Sequence, residues 1–526
     1  MGISNKSLWH TAFFLSVWLF AAGCGEQKKA NDFFEQGKQK FREHDWNGAI
    51  NDLNQAIKLN SKNPDVYLYR GEAERKLNKL DETILDYNRA AGLDPKNARI
   101  YCVRGFVKGE KRDFDGAISD FNQAISLNPK YSSAYYGRGV AKDGKGDLLG
   151  ASADLTQTIV MDPTNAHPYR TLGDINCELS NWDAAIEQYT RAIELDPKFS
   201  AAYAGRGLAY EHQKDWQGAI ADFNQAIEHN RTNFALVFWR GFLKSEAGNL
   251  DGAIADYSKV IDSNPTNERA YGSRADAKGQ KADWDGAIAD YSKAIEINPT
   301  HSAAYDDRGA AKREKGDLEG AIADFNQAIK LNPTNIIAYL NRGIAKGKKA
   351  DLGGAIDDFS KAIELNPRYA KAYDNRGLVE SKKGDLNSAI ADYSKGIELN
   401  PTNPRAYNDR GWAKFQKNDL DGAIADATQA IQLNPTNGYA YGTRGWARYG
   451  QGDVAGAMED CKKAVEFLGT NSFAVAYDEG LIDFIKGDYE KAAASWEKVV
   501  QHDVTLKREL QPWIEKAKAK LQNNKP

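Results

Sequence analysis

Hydrophobic and small residues recur along most of this chain in two alternating helical patterns. The stretch AYDDRGAAKREKGDLEGAIADFNQAIKLNPT, residues 304–334, contains one copy of each. In its first half, Tyr305, Gly309 and Ala311 recur at helical spacings, and in its second half apolar positions are three or four residues apart. Such spacing predicts two helices that each bury one face. The apolar positions of the second helix are Leu318, Ala321, Ile322, Phe325, Ala328 and Ile329.

The residues between the two patterns predict where the helices begin and end. Gly316 suits the C-terminus of the first helix, because glycine adopts a positive φ without a steric penalty. Asp317 can cap the second helix by accepting hydrogen bonds from free backbone N–H groups. Pro333 cannot continue a helix and therefore separates this unit from the next.

The whole pattern returns every 34 residues. Counting from Ala30 gives about 14 units, and the last one slips by one residue near Glu479 and Gly480. A period of this length predicts a solenoid of stacked helical hairpins. The prolines that mark the period are Pro95, Pro129, Pro163, Pro197, Pro265, Pro299, Pro333, Pro367, Pro401 and Pro435.

The repeated skeleton resembles that of the tetratricopeptide repeat family over residues 30–506. It consists of Tyr305, Gly309, Ala321, Phe325, Ala328 and Pro333. The resemblance implies an all-α fold, a right-handed superhelical solenoid whose first helices line a concave groove. It also implies that the chain binds peptides or other proteins, because members of this family typically do so and seldom catalyse reactions. The segment 507–526 is expected to be a C-terminal capping helix whose Trp513 covers the last repeat face.

One position departs from the family. Where the family usually has leucine before the glycine, eleven units of this chain have arginine, as at Arg308 and Arg376. Each of these units also has an aspartate before the aromatic residue of the second helix, as at Asp324 and Asp392. We interpret the pairs as structural salt bridges, because a half-buried charge left alone is costly. A ladder of arginines that binds a ligand is the alternative.

The strongest support for this interpretation is a joint loss. The one internal unit that has leucine at the arginine position, Leu172, also has Gln188 at the aspartate position. A pair within one unit would lose both partners together. The first unit is an exception, because it combines Gln36 with Asp52.

Two groups of aromatic residues on first helices are candidate partner-binding sites. The first is Phe238 and Phe242, with Trp239 beside them. The second is expected to form an aromatic wall with space at Gly442, and packing between neighbouring helices is the alternative for both. This second group is Arg405, Trp412, Phe415, Tyr439, Trp446 and Tyr449.

The N-terminal segment MGISNKSLWHTAFFLSVWLFAAGC has an early cation, an apolar middle and small residues before a cysteine. This order is typical of a secretory signal. The ending AAGC resembles the lipobox of bacterial lipoproteins, which implies cleavage before Cys24 and lipidation of that cysteine. We therefore expect a signal peptide at 1–23 and a lipidated tether at 24–29. An ordinary signal peptide and an uncleaved anchor are the alternatives.

The rest of the composition offers no chemistry of its own. A net charge of −3 gives no electrostatic reason to expect nucleic acid. Cys102, Cys177 and Cys461 are widely spaced, and the seven histidines are scattered, so that no metal, cofactor or catalytic site is predicted. These patterns favour a non-catalytic scaffold that binds proteins or peptides at the bacterial cell envelope. A secreted accessory or carrier subunit that presents substrate to a separate enzyme is the alternative.

Overall fold

The computed structural model describes residues 25–469, 473–502 and 506–523. Cys24 and the predicted signal segment lie outside these residues. The described residues form 29 helices and no strand. They divide into two compact units, one up to Lys259 and one from Val260.

In the first unit, α1 spans 25–42. It is followed by α2 (Trp46–Leu59), α3 (Pro64–Lys76), α4 (Leu80–Leu93), α5 (Ala98–Glu110), α6 (Phe114–Leu127), α7 (Ser132–Gly144), α8 (Leu148–Met161), α9 (Ala166–Glu178), α10 (Trp182–Leu195), α11 (Ser200–His212), α12 (Trp216–His229) and α13 (Phe234–Glu246). The boundary between the units falls within α14 (Leu250–Ser263).

The second unit contains α15 (Glu268–Gln280), α16 (Trp284–Ile297), α17 (Ser302–Lys315), α18 (Leu318–Leu331), α19 (Ile336–Lys348), α20 (Leu352–Leu365), α21 (Ala370–Lys383), α22 (Leu386–Leu399), α23 (Pro404–Gln416), α24 (Leu420–Leu433), α25 (Gly438–Gln451), α26 (Val454–Leu468), α27 (Phe473–Lys486), α28 (Tyr489–His502) and α29 (Lys507–Asn523).

Within both units, odd-numbered first helices pack on the even-numbered second helices that follow them, and second helices also contact the next first helix. The predicted all-α architecture of about 14 helix pairs, followed by a C-terminal helix, is confirmed.

The helix ends follow the local sequence. Asp317 accepts a hydrogen bond from the backbone N–H of Gly320 at 2.9 Å, and thereby caps α18. Gly316 ends α17 with a φ of 94°, a left-handed conformation that favours glycine. The fully buried ring of Phe325 lies against Gly309, where a Cβ atom would come within 2.8 Å of the ring. The small residue is therefore what allows the two helices to pack closely.

Residues 25–29 differ from the expectation of a tether. They form the first turns of α1 and are continuous with the first repeat. The predicted tether at 24–29 therefore has no separate segment among the residues that the structure describes.

Candidate functional site

The arginine before the repeat glycine is the centre of a polar network. Arg308 donates through Nε and Nη2 to the two carboxylate oxygens of Asp324, at 2.8 and 2.7 Å. Lys312 lies one helical turn further along and contacts the same carboxylate at 2.8 Å. Arg308 also donates to Ser292 of the preceding repeat at 3.0 Å, and its guanidinium lies over Tyr305. This arginine is thus held on several sides by the chain itself.

The two-bond ion pair occurs in all eleven units that have the arginine. Arg376, for example, donates to Asp392 at 2.6 and 2.8 Å. Because these guanidinium groups are occupied within the fold, they leave little for a ligand to bind. The other pairs are Arg70–Asp86, Arg104–Asp120, Arg138–Asp154, Arg206–Asp222, Arg240–Asp256, Arg274–Asp290, Arg342–Asp358, Arg410–Asp426 and Arg444–Asp460.

Two of the units without the arginine have other partners at this position. Leu172 packs against an apolar cluster that includes Leu155 and Ile175, so that it requires no charged partner. In the first unit, Asp52 forms an ion pair with Lys40 at 2.8 Å in place of the missing arginine. The lysine four residues after the arginine position is therefore a third member of the network, which the sequence reasoning missed.

Two units have glutamate at that lysine position, Glu74 and Glu380. In each, a buried carboxylate oxygen has no hydrogen-bond donor. Burial, followed by the charge of the neighbouring Asp86 or Asp392, raises the pKa of each glutamate to about 7. These two units are the weak points of an otherwise neutralised network.

The first predicted aromatic site is not an exposed surface. Phe238 is 8% exposed and packs against the ring of Tyr257, while Phe242 is half-buried against Trp239. The expectation of an accessible Phe238 side chain is therefore wrong. Neighbouring helices cover a ring that the local pattern placed on an open face.

The second predicted site is divided between core and surface. Trp446 is 1% exposed, and its indole N–H donates to Asp478 at 3.1 Å, so the expectation that it forms part of an open wall is wrong. Tyr439 is 58% exposed, and the side chain of Arg405 is 74% exposed. Trp412 is half-buried and lies edge-on to Tyr477, with ring centroids 5.7 Å apart.

The C-terminal helix α29 packs against two residues of the predicted wall, Trp446 and Tyr449. The ring of Trp513 on α29 packs against Trp446, Tyr449 and Phe484, with centroids 5.3, 5.8 and 6.0 Å apart. Glu509 accepts a hydrogen bond from Gln416 at 3.0 Å. The helix therefore contacts first helices of three successive repeats, and it does more than cover the last repeat face as predicted.

An open cavity of about 490 Å³ remains beside this contact. We call it the C-terminal cavity. It lies within the second unit, and three residues of the predicted second group and its space, Trp412, Tyr439 and Gly442, are among its lining residues. Trp446 also lines it, despite its burial. The polar and aromatic lining residues that the sequence did not predict include Asn408, Asp409, Thr443, Tyr477 and Asp478.

Two carboxyl groups give the C-terminal cavity its acidic character. Asp478 is 4% exposed, and burial raises its pKa to about 8 despite the hydrogen bond from Trp446. Burial also raises the pKa of Asp409, and Arg405 opposes that shift from 3.5 Å away. No lysine or arginine is among the described residues that line the cavity. The cavity thus combines aromatic rings with two carboxyl groups, of which Asp409 has Arg405 nearby and Asp478 has no ion pair among the described residues.

Two kinds of feature are absent from the described residues. They contain no group of three histidine, cysteine or carboxylate side chains placed to hold a metal ion. None of the described helices is long and apolar enough to cross a bilayer.

The fold and the site define an all-α repeat protein built from stacked helix pairs with a cavity on its first helices. Comparison with protein families agrees. Models described as "TPR repeat" and "Tetratricopeptide repeat" match the chain at many positions, and the chain belongs to the tetratricopeptide repeat family. The matched ranges are 30–74, 98–131, 171–233, 243–302, 309–350, 336–369, 377–417 and 408–472. Members of this family generally serve as scaffolds for protein–protein interaction and are generally non-catalytic.

Solved structures with similar folds include the hetero-tetramer Cut9–Hcn1, at 13% identity and a TM-score of 0.40, with 87% of this chain and 96% of that chain covered. A tetratricopeptide repeat protein from Parabacteroides merdae is 21% identical, with a TM-score of 0.38 and coverages of 47% and 98%. MamA is 32% identical, with a TM-score of 0.29 and coverages of 31% and 94%. A comparison with curated proteins found no significant match.

Proposed function

We propose that this chain is a non-catalytic scaffold that docks a protein or peptide partner at the C-terminal cavity, close to a bacterial envelope membrane. The observation that carries the proposal is the cavity itself. It opens on first helices and combines the exposed ring of Tyr439 with the half-buried ring of Trp412. Aromatic side chains that are partly accessible around a polar pocket are typical of binding hot spots.

Site-specific photocrosslinking in cells tests the docking site. A photoreactive amino acid replaces Tyr439 in one variant and Glu398, an exposed residue on second helix α22, in the control. We expect a discrete adduct from position 439 that is absent from position 398. Equal adducts from both positions, or none from position 439, would contradict the proposal.

Substitution of Trp412 then tests whether the cavity supplies binding energy. Loss of a hot-spot aromatic costs about 2 kcal/mol or more, which corresponds to roughly 30-fold weaker binding. We expect Trp412→Ala to reduce the yield of the adduct at position 439 at limiting partner concentration. Glu398→Ala is the matched control and should leave the yield unchanged.

The membrane part of the proposal is that a lipid on Cys24 anchors the chain. Its support is the sequence AAGC, which resembles a lipobox, and the first repeat begins only a few residues later. Labelling with radioactive palmitate, in wild type and in Cys24→Ala, is the test. We expect label in the wild type only, and the membrane fraction should lose the mutant protein. Label that persists in the mutant would remove the anchor from the proposal.

A further inference from the structure

We infer that the C-terminal cavity accepts a basic side chain of the docked partner, the ammonium of a lysine or the guanidinium of an arginine in an extended peptide segment. The inference rests on the proposed docking function and specifies the chemistry of its partner. It is carried by a buried carboxylate without a cation, and by the aromatic rings around it.

Asp478 is the central residue of this inference. It is buried, and among the described residues its one hydrogen bond comes from the neutral indole N–H of Trp446. No described lysine or arginine forms an ion pair with it. Its second oxygen, Oδ2, faces Gly442, and a Cβ atom at Gly442 would lie 2.8 Å from that oxygen. Ionisation of a buried carboxyl group without a cation is costly, and a ligand that supplies a cation favours the ionised form and gains an ion pair with it.

Most other buried aspartates of the second unit form an ion pair, and Asp306, which accepts a hydrogen bond from the amide of Asn341, is the other one for which the described residues provide none. Asp460, which is 1% exposed, contacts Arg444 at 2.7 Å and Arg448 at 2.8 Å. The repeat network thus supplies cations to carboxylates that the fold buries. Asp478 belongs to the slipped last repeat, in which the arginine–aspartate network is interrupted. The side of the cavity that Asp478 lines therefore has no lysine or arginine among its described residues.

Aromatic rings provide a second attraction for a cation. The rings of Trp412, Tyr439, Trp446 and Tyr477 all line the cavity. The ring centroids of Trp446 and Tyr477 are 4.8 Å apart, and those of Trp412 and Tyr477 are 5.7 Å apart. The face of an aromatic ring attracts ammonium and guanidinium groups, and the attraction is strongest where water is excluded.

The remaining charges at the cavity agree with a cationic ligand. Asp409 lines the cavity. Its nearest cation is Arg405, whose Nε lies 3.5 Å from Oδ2 of Asp409 and whose side chain is largely exposed. The other titratable side chains of the lining are His502 and the three tyrosines Tyr393, Tyr439 and Tyr477. An acidic peptide would meet two carboxyl groups, and an aliphatic side chain would leave Asp478 uncompensated. A lysine or arginine satisfies both the rings and the carboxylate.

Peptide binding to the intact protein tests the inference. The probes are four hexapeptides, acetylated and amidated at their ends, that differ only in a central Lys, Arg, Leu or Glu. Binding is followed by tryptophan fluorescence and by the ¹⁵N-indole signal of Trp446. We expect the Lys and Arg peptides to bind at least tenfold more tightly than the Leu and Glu peptides. Equal affinities, or no binding of the Lys peptide at millimolar concentration, would overturn the inference.

The decisive variant is Asp478→Asn, which keeps the shape of the side chain and an oxygen that can accept from Trp446. We expect this substitution to weaken binding of the Lys peptide at least tenfold and to leave the affinity for the Leu peptide unchanged. Glu398→Gln, an exposed carboxylate elsewhere, is the matched control and should change neither. Unchanged binding of the Lys peptide to Asp478→Asn would refute the role of this carboxylate. Circular dichroism confirms that each variant is folded.

Two further outcomes separate this inference from the proposed function. If free butylamine displaces the Lys peptide at equal concentration, the cavity recognises a small amine and the peptide assignment is wrong. If a partner crosslinks at position 439 while the hexapeptides show no preference for a basic residue, docking stands and the cationic assignment fails.

Discussion

At the scale of single residues, eight of the eleven carboxylates that pair with the repeat arginine contact a second cation as well. Arg308 and Lys312 both contact Asp324, and Arg308 is additionally bonded to the preceding repeat. The carboxylate is therefore the shared member, and the two cations are partly redundant. This asymmetry gives the three side chains different importance for stability.

We expect Asp324→Leu to destabilise the protein more than Arg308→Leu. Loss of the aspartate leaves two half-buried cations without a partner, which costs about 3–5 kcal/mol. Loss of the arginine leaves Lys312 on the carboxylate, and removes charged hydrogen bonds worth about 1.5–3 kcal/mol. Thermal and denaturant unfolding of both single variants and the double variant complete a double-mutant cycle. A double variant as unstable as the sum of the singles would show that the pair is not coupled.

The second prediction at this scale concerns Glu380, which occupies a position where most units have lysine. Its pKa of about 7 lies above the usual value for glutamate because of burial and the charge of Asp392. The folded state therefore binds more protons than the unfolded state between about pH 4.5 and 7, and stability falls as the pH rises through this window.

We expect Glu380→Lys to stabilise the protein at pH 8 and to have a much smaller effect at pH 5. The new lysine would contact Asp392 as Lys346 contacts Asp358, at 2.8 Å in the preceding repeat. The gain should be about 1 kcal/mol, because the site is partly exposed and screened by solvent. Unfolding midpoints at both pH values measure it. The matched control, Lys346→Glu, should lose stability at pH 8. If Glu380→Lys and Lys346→Glu had equal effects on stability, the proposed role of the lysine position would be contradicted.

At the scale of helices, the connections follow the same register but differ in strain. Gly316 has a φ of 94°, whereas the equivalent positions Ala282 and Ala350 have φ values of 59° and 65° with a side chain present. A left-handed conformation costs an L-residue about 1–2 kcal/mol. Glycine relieves this cost in some turns and is absent from others.

We expect Gly316→Ala to destabilise the protein by about 1 kcal/mol, since the left-handed cost exceeds the entropy that alanine saves in the unfolded chain. The reverse change at the same position of the preceding repeat, Ala282→Gly, should be close to neutral, because the φ of 59° lies within the left-handed region that L-residues can adopt and the relief of strain is offset by the added entropy of the unfolded chain. Thermal unfolding measures both variants. A neutral Gly316→Ala would show that the turn relaxes without strain.

The helices themselves were predictable from the sequence, because each is encoded by local signals. The cap at Asp317, the turn at Gly316 and the close contact of Gly309 with Phe325 all follow from a pattern of about 34 residues. Repetition made these signals stronger than those of any single segment. The same local logic identified Arg308 and Asp324 as partners, but it overlooked Lys312.

The candidate site was less predictable, because it depends on contacts between distant segments. The burial of Trp446 results from α29 and from the slipped last repeat, which bring Trp513 and Asp478 against it. A pattern within one repeat carries no information about these neighbours. The slip at Gly480 also hid Asp478, because this residue lies 34 positions after Arg444 but is no longer followed directly by the repeat glycine.

At the scale of the whole molecule, stability is expected to be local. Helices in each unit contact mainly their neighbours in the sequence, so that a defect in one repeat has no direct path to a distant one. Repeat proteins of this kind open in segments, and amide hydrogen exchange reports the free energy of each segment separately.

We therefore expect Trp446→Ala to accelerate hydrogen exchange in α25–α29 while it leaves α3–α8 unchanged. Removal of a buried tryptophan costs about 3–5 kcal/mol, which corresponds to roughly 10²–10³-fold faster exchange where opening becomes easier. Phe121→Ala, in the core between α5, α6 and α7, is the matched control and should produce the opposite distribution. Exchange that rises uniformly along the chain in either variant would mean that the repeats unfold as one cooperative body. In that case, substitutions at the C-terminal cavity would report global stability as well as docking.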